Sequence, residues 1–379
     1  MADTTSNDTS TANNTSVPTS PGELTAGWIT GALQRSGVVD AETRVDTITI
    51  DPGASGVGFM GEVASIELTY APPAASAPSR LVAKFPTSND DIRQMVFAGR
   101  IFEREHRFYA ELATQSPLRT PEIFHVTCET DPEPTAERYL LLMEDLSGMR
   151  LADQVAGVTV DEARTTLTAM AGHHVAFWGG QGMEAATYIP VINGALNQAG
   201  SPIYDASLPG FMEAFGSVVR PELADYVSGY AAVRPQILDD LAAMPRTLVH
   251  FDFRADNLFF DDAGQPCVID WQTISQGGGA ADVGYFLSQN LPVEDRQAGE
   301  QALLDHYADE LAAAGIDHYQ GAEGAALLRN DYRVGVECGW LIPVLAVGSL
   351  DFTSERAVAL WTTVIERTQS ALIDLGVGA

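Results

Sequence analysis

Asp252, Asn257 and Asp270 are the residues of this chain whose types and spacing best suit chemistry. They stand in two short stretches, His250-Phe251-Asp252-Phe253-Arg254-Ala255-Asp256-Asn257-Leu258-Phe259-Phe260 and Val268-Ile269-Asp270-Trp271-Gln272. The asparagine follows the first aspartate by five residues, and the second aspartate follows the asparagine by thirteen. A carboxylate on a loop can serve as a base. An amide oxygen and a second carboxylate can hold a hard cation such as Mg2+, which takes oxygen ligands and keeps several waters. That is the minimum equipment for moving a phosphoryl group from Mg-ATP to a hydroxyl. On this reading Asp252 is the base, and Asn257 and Asp270 are the metal ligands. His250 is expected to hold the loop by a hydrogen bond. Arg254 either binds a phosphate or braces the loop.

Phosphoryl transfer also needs positive charge at the nucleotide, and the chain offers little. It carries a single lysine, Lys84, among 21 basic residues, against 51 acidic ones, for a net charge of −30. Lys84 ends the strand-like run Leu81-Val82-Ala83-Lys84, where a compact ammonium would reach nucleotide phosphates. It needs an anion to hold it. Downstream, Ile101, Glu105, Phe108 and Leu112 share one helix face that is otherwise apolar, which marks Glu105 as the inward-facing partner. Glu103 is the alternative, expected beside Arg107 on a solvated face. Upstream, Gly56-Val57-Gly58-Phe59-Met60-Gly61-Glu62-Val63 reads G-x-G-x-x-G-x-V. The segment after Gly61 alternates with period two, so a hairpin rather than a helix follows, and the loop is expected to cover phosphates through Gly56, Val57, Gly58 and Phe59. The apolar run Leu140–Met143 leads into Glu144, Asp145 and Leu146, a hinge whose backbone at Glu144 and Leu146 would meet an adenine edge. Taken alone, the glycine run also fits an ordinary hairpin turn, and the hinge run an ordinary strand end.

The elements that must position these groups are legible as patterns. Residues 1–22 are Ser, Thr, Asn, Asp and Pro with little to bury, and are expected to be disordered. A helix is expected near Glu23, strands at 45–50, 62–70, 81–85, 120–127 and 138–143, and a helical stretch over 90–115. Later helices are expected at roughly 160–178, 221–243, 281–290, 295–314, 322–346 and 353–374, with strand-like pieces at 247–251 and 266–271. The sum is an α+β chain of two lobes. A small antiparallel-sheet N-lobe spans 23–143, a hinge 144–149, and a mainly helical C-lobe 150–379. Asp282, at a helix start, is expected to tie its helix to the catalytic loop. His173 and His174 are adjacent, so they point apart and should not share a metal. The long loop 180–210 and the segment 338–343 are candidate walls for an acceptor, with Tyr188, Ile189, Phe211 and Trp340 suited to an apolar body or, equally, to the core.

Composition excludes several classes. A charge of −30 repels nucleic acid and anionic lipid surfaces. No run of eighteen apolar residues marks a membrane span. Cys128, Cys267 and Cys338 are few and far apart, which suits small buried residues in a reducing cytoplasm.

Taken in order, GVGFMGEV, LVAK, FEREHRFYAEL, LLLMEDL, HHVAFW, HFDFRADNLFF, CVIDWQ and GGGAADVGYFL resemble the aminoglycoside phosphotransferase/choline kinase-like branch of the protein-kinase-like fold. The resemblance runs over about residues 24–375 and lies nearest the ecdysteroid-kinase-like (CHK) phosphotransferases. It implies ATP and Mg2+ as cofactors and a small-molecule hydroxyl acceptor. By motif position it supports Asp252, Asn257, Asp270 and the Lys84–Glu105 pair. No A-P-E follows Asp270, and Trp271-Gln272 stands where Phe-Gly would be, so a protein kinase is not expected. Phe251 departs from the many relatives with glycine between the histidine and the aspartate. Two other functions use the same residues: a non-catalytic nucleotide-binding module, and a metal-dependent hydrolase built on His250, Asp252, Asn257 and Asp270.

Overall fold

The structure is a computed structural model that describes residues 16–51, 61–89, 93–94, 97–131, 133, 136–346 and 354–378. The chain forms two compact units, one of 1–97 with 122–145 and one of 98–121 with 146–379. Segment 98–121 was expected in the first lobe; its packing groups it with the second unit.

In the first unit a five-stranded antiparallel sheet has the order β1-β2-β3-β5-β4. Its strands are β1 (Arg44–Asp51), β2 (Gly61–Ala71), β3 (Arg80–Pro86), β4 (Ile123–Glu129) and β5 (Arg138–Glu144). Helix α1 (Ala26–Arg35) is capped by Thr25, whose side chain accepts from the Trp28 amide at 3.1 Å. Its Trp28, Ile29, Ala32 and Leu33 pack with Leu81, Ala83 and Phe85 of β3 and Leu140 and Leu142 of β5. Side chains alternate across a strand, so Lys84 falls on the sheet face away from this cluster. Its register neighbours are Val63 on β2 and Leu141 on β5.

The expected disordered tail needs correction over its described part. Val17 packs against the same cluster. The Thr19 amide donates to Glu23 Oε2 at 2.8 Å, which closes a short turn at Pro21–Glu23. Polar composition concealed one apolar contact and one cap.

The expected helical stretch over 90–115 is helical at the described residues 93–94, 97–98 and 101–115, where α2 (Ile101–Arg107) is its regular part in the second unit. Helix α2 starts after Arg100, whose φ of 50° is left-handed, and runs into a wider π-type turn at Phe108–Leu112. Phe108 stacks on Trp271 with ring centroids 4.0 Å apart, which anchors α2 beside the Asp270 turn. Strand β6 (Arg150–Leu151) precedes α3 (Val160–Ala176), which opens with a Thr159/Glu162 capping box. The supposed loop 180–210 contains the start of a further helix, α4 (Gly200–Phe215). Pro202 lies in its first turn, where a proline costs no hydrogen bond, whereas Pro209 lies inside the helix. Next come α5 (Ala224–Ala243), β7 (Arg246–Val249), β8 (Leu258–Phe260), β9 (Pro266–Val268) and β10 (Ser275–Gly278). The pieces expected at 247–251 and 266–271 are thus shorter, and their freed ends form the functional loops. Strand β8 pairs with β6 and β9, and β10 with β7.

Helix α6 (Ala280–Asn290) is buried along its whole length. It is followed by α7 (Val293–Ala313), α8 (Gly321–Gly339) and α9 (Glu355–Asp374). Where α6 meets α8, a Cβ on Gly335 would lie 1.9 Å from the Ala280 carbonyl oxygen, so only glycine permits the approach. Tyr188, Ile189, Phe211 and Trp340 are all buried. The Trp340 indole donates to the Tyr204 hydroxyl at 3.0 Å. These four residues therefore pack in the interior, as the core reading of them has it. Among the described residues no helix is long and apolar enough to cross a membrane.

Candidate active site

The loop 250–257 runs from β7 into β8, and Asp270 follows β9. Two backbone-level links join the segments. His250 Nε2 donates to the Ile269 carbonyl at 3.0 Å, and the Ile269 amide donates to the Asn257 carbonyl at 3.1 Å. The carbonyl partner fixes the hydrogen on His250 Nε2, which leaves Nδ1 to accept from the Asp252 amide at 3.3 Å. His250 is therefore a strap between the two functional loops, the structural role expected of it.

Asp252 and Asn257 meet directly. Asn257 Nδ2 donates to the Asp252 carbonyl at 3.0 Å and to Asp252 Oδ2 at 3.3 Å. The amino group of Asn257 is thereby committed to Asp252. Arg254 Nε lies 3.5 Å from Asp252 Oδ2. The remaining carboxylate oxygen, Oδ1, accepts from the Tyr285 hydroxyl at 2.9 Å. Burial raises the Asp252 pKa and nearby Asp270 adds to the effect; Arg254, His250 and Tyr285 pull against them without restoring the ordinary value. Asp252 dominates a strong upward shift in the Arg254 pKa, so that guanidinium stays charged.

Asp282 anchors the loop from below. Its Oδ2 accepts from the His250 amide and its Oδ1 from the Phe251 amide, both at 2.8 Å. His174 lies beside it, with Nε2 3.3 Å from Asp282 Oδ2 and Nδ1 2.8 Å from the Tyr307 hydroxyl. The carboxylate accepts from the ring, and the Tyr307 hydroxyl meets its other nitrogen. Burial works to raise the Asp282 pKa, but His174, His250 and the loop amide outweigh it, and the carboxyl is held below its ordinary range. His173 turns the other way, toward Ser116 Oγ at 2.8 Å, so the two histidines do not share a ligand. Burial depresses His173 to about 3, which keeps it neutral.

Two non-glycine residues in these loops have left-handed backbone, Phe251 (φ 65°) and Asp270 (φ 66°). Aspartate tolerates this region; phenylalanine is penalised there by roughly 1–2 kcal/mol. A glycine at position 251 would carry no such penalty. This reverses a usual order of stabilities. Phe251→Gly should unfold at higher denaturant than Phe251→Ala, by about 1 kcal/mol, because both lose the ring but only glycine loses the strain. Equal midpoints would show that the left-handed backbone carries no strain.

The other expected site residues are distributed as follows. Glu105 on α2 is buried. Glu103, expected on a solvated face, is buried too, but its carboxylate is taken by Arg100 at 2.7 Å and Arg107 at 3.2 Å. Lys84 and Glu105 belong to different compact units. Glu144 closes β5 and its Oε2 accepts from the Glu122 amide at 3.1 Å; Leu146 opens a short turn and is buried. Gly56, Val57, Gly58 and Phe59 lie outside the described residues. Among the described residues no cluster of three or more His, Cys, Asp or Glu side chains is arranged to hold a metal. The residues expected to hold a cation, Asn257 and Asp270, bear an amide oxygen and a carboxylate. Two hard oxygens completed by water or phosphate fit Mg2+.

Sequence reasoning missed Tyr285 and Asn290. Asn290 Oδ1 accepts from the Ala255 amide at 2.7 Å and its Nδ2 donates to the Phe253 carbonyl at 3.2 Å. Both residues lie on the side of α6 that carries Asp282, three and eight positions further on. That spacing was the signal available.

The sequence model of the ecdysteroid kinase-like family matches residues 55–317, well over half of the chain. No curated protein sequence matches. Among solved structures, a microcompartment-associated aminopropanol kinase is similar, with a TM-score of 0.53 at 16% identity, covering 91% of this chain and 96% of that one. The GDP complex of wild-type aminoglycoside 2'-phosphotransferase-IIIa gives a TM-score of 0.52 at 12% identity, covering 92% and 99%. A putative aminoglycoside phosphotransferase from Ralstonia eutropha gives 0.50 at 16% identity, covering 86% and 94%. At these identities the likenesses establish a shared kinase-like fold. With the family match they make the chain a member of the ecdysteroid kinase-like family, an enzyme of the phosphotransferase class.

Proposed function

We propose that the chain transfers the γ-phosphoryl group of ATP to an alcohol hydroxyl of a small molecule. The observation that carries this reading is the linked pair of loops. Asp252 and Asn257 share a hydrogen bond, and His250 and Ile269 strap them to the segment that bears Asp270. Bound at Asn257 and Asp270, Mg2+ would neutralise charge on the transferring phosphoryl group. Asp252 would receive and orient the acceptor hydroxyl, and its raised pKa suits a group that takes up a proton. Arg254, held beside Asp252, keeps a positive charge at the reacting end. Lys84 would brace the nucleotide phosphates with Glu105 as counter-charge, under the glycine loop at 56–59. The backbone at Glu144 and Leu146 would hold the base of the nucleotide. Rate would then come from positioning and charge stabilisation.

The test is ADP release from ATP over a panel of sterols, hydroxy acids, amino alcohols, sugars and antibiotics. Product formation should require both ATP and a hydroxyl partner. ATP binding with no responding alcohol would favour the non-catalytic module. Phosphate release from esters without ATP would favour the hydrolase. A second prediction concerns the metal. Asp270→Asn keeps a residue that accepts left-handed backbone but removes the charge. It should raise the Mg2+ concentration for half-maximal rate about tenfold or more, since a charged contact is worth roughly 1.5–3 kcal/mol. An unchanged Mg2+ dependence would remove Asp270 from the metal site.

A further inference from the structure

Helix α6 reads the functional loop almost residue by residue. Asp282 accepts from the amides of His250 and Phe251. The Phe286 ring meets Phe253 edge-on, with centroids 5.7 Å apart. Asn290 bonds the Phe253 carbonyl and the Ala255 amide. These contacts fix the loop backbone. The side chain of Asp252 is reached by Tyr285, whose hydroxyl donates to its Oδ1 at 2.9 Å.

We propose that Tyr285 is a positioning residue for phosphoryl transfer, acting through Asp252. The inference rests on the reading of Asp252 as the group that receives the acceptor hydroxyl. A carboxylate has two soft torsions and two equivalent oxygens. On Oδ2 the neighbours are long, with Asn257 at 3.3 Å and Arg254 at 3.5 Å, and neither alone fixes the carboxylate plane. The short bond from Tyr285 pins Oδ1 and with it the direction in which Oδ2 faces. The phenol sits on a buried helix whose approach to α8 is set by backbone contact at Gly284 and Gly335, so it cannot follow a wandering carboxylate. The groups facing Tyr285 are Asp252, Arg254 and Asp256, and the phenol stays protonated beside them because burial and Asp252 both raise its pKa. It therefore remains a donor throughout turnover. Backbone anchoring by Asp282 and Asn290 and side-chain anchoring by Tyr285 come from one rigid element, which is how a base is kept within the small tolerance that transfer requires.

The experiment uses the full chain, ATP with Mg2+, and the alcohol that gives the fastest ADP release in the panel, or water-driven ATP hydrolysis if none responds. Tyr285→Phe should lower kcat about tenfold or more, the usual effect of losing one hydrogen bond to a charged group. KM for ATP should stay within about twofold, because Tyr285 does not act on the nucleotide. The decisive comparison is with Asp252→Asn. If Tyr285 acts only through Asp252, adding Tyr285→Phe to Asp252→Asn should change the residual rate little. A role in general loop packing predicts the opposite, a further loss of the same size in both backgrounds, and that result would overturn the proposal. So would an unchanged kcat in Tyr285→Phe alongside a crippled Asp252→Asn. An unchanged kcat in Asp252→Asn would instead remove the base reading. Should Tyr285→Phe fail to fold, 3-fluorotyrosine at position 285 keeps the ring and strengthens the donor; kcat must then change with KM constant, and no change counts against the proposal.

Discussion

Asp252→Asn should lower turnover by about 10²–10⁴-fold while leaving ATP affinity nearly intact, the range expected for loss of a positioned base. Asparagine fills the same space and can still accept from Tyr285, so the loss reports chemistry rather than collapse. The same change should make the protein more stable. Burial raises the Asp252 pKa in the folded state, so its contribution to stability is present at low pH and is lost as pH rises through the folded pKa. Above the ordinary carboxylate range the carboxyl group opposes folding, and a neutral isostere relieves that opposition together with the effect of Asp270. A rise in melting temperature of roughly 1–3 °C is expected at pH 7, shrinking toward pH 4. A variant both inactive and less stable at pH 7 would contradict this account of the site's electrostatics.

Asp282→Ala should have the opposite signature, loss of fold and activity together. It strips the acceptor from two buried amides, those of His250 and Phe251, and from His174. Each stranded buried donor costs about 1–3 kcal/mol, so the melting temperature should fall by roughly 10 °C. Asp282→Asn keeps one acceptor oxygen and should fall between. The pH dependence has a definite sign. Asp282 is held below the ordinary carboxylate value of 3.8, so its stabilisation is present above that value and fades as pH falls through the folded pKa. Asp282→Asn should therefore differ most from wild type near neutrality and least in acid. A gap that stays constant from neutral pH into acid would show that the carboxylate's charge is not what holds the loop.

Much of this was legible in the sequence, for identifiable reasons. Period-two alternation marked β2, and apolar spacing placed Glu105 inward. Asp252, Asn257 and Asp270 lie close in sequence, so short-range geometry could bring them together. What stayed hidden depends on tertiary contact. Tyr285 and Asn290 look like ordinary members of an apolar helix until the loop lies against them. His174 gives no sign of bracing Asp282 across 108 residues. Helix α4 was masked by Pro209 and Gly210, whose local preferences yield to the burial of Tyr204, Phe211 and Phe215. Val17 packs on the first unit's core although its neighbours are polar. The burial of Glu103 was missed because two arginines, Arg100 and Arg107, travel with it and satisfy its charge.

The most direct test of the central claim is a single-turnover reaction with γ-labelled ATP, Mg2+ and the responding alcohol, followed by mass spectrometry of the product. Wild type should deliver the label to the alcohol as a phosphate ester, and Asp252→Ala should bind the nucleotide and deliver almost none. Label transfer at the wild-type rate in Asp252→Ala, or label released only as inorganic phosphate by wild type with every alcohol offered, would contradict the account.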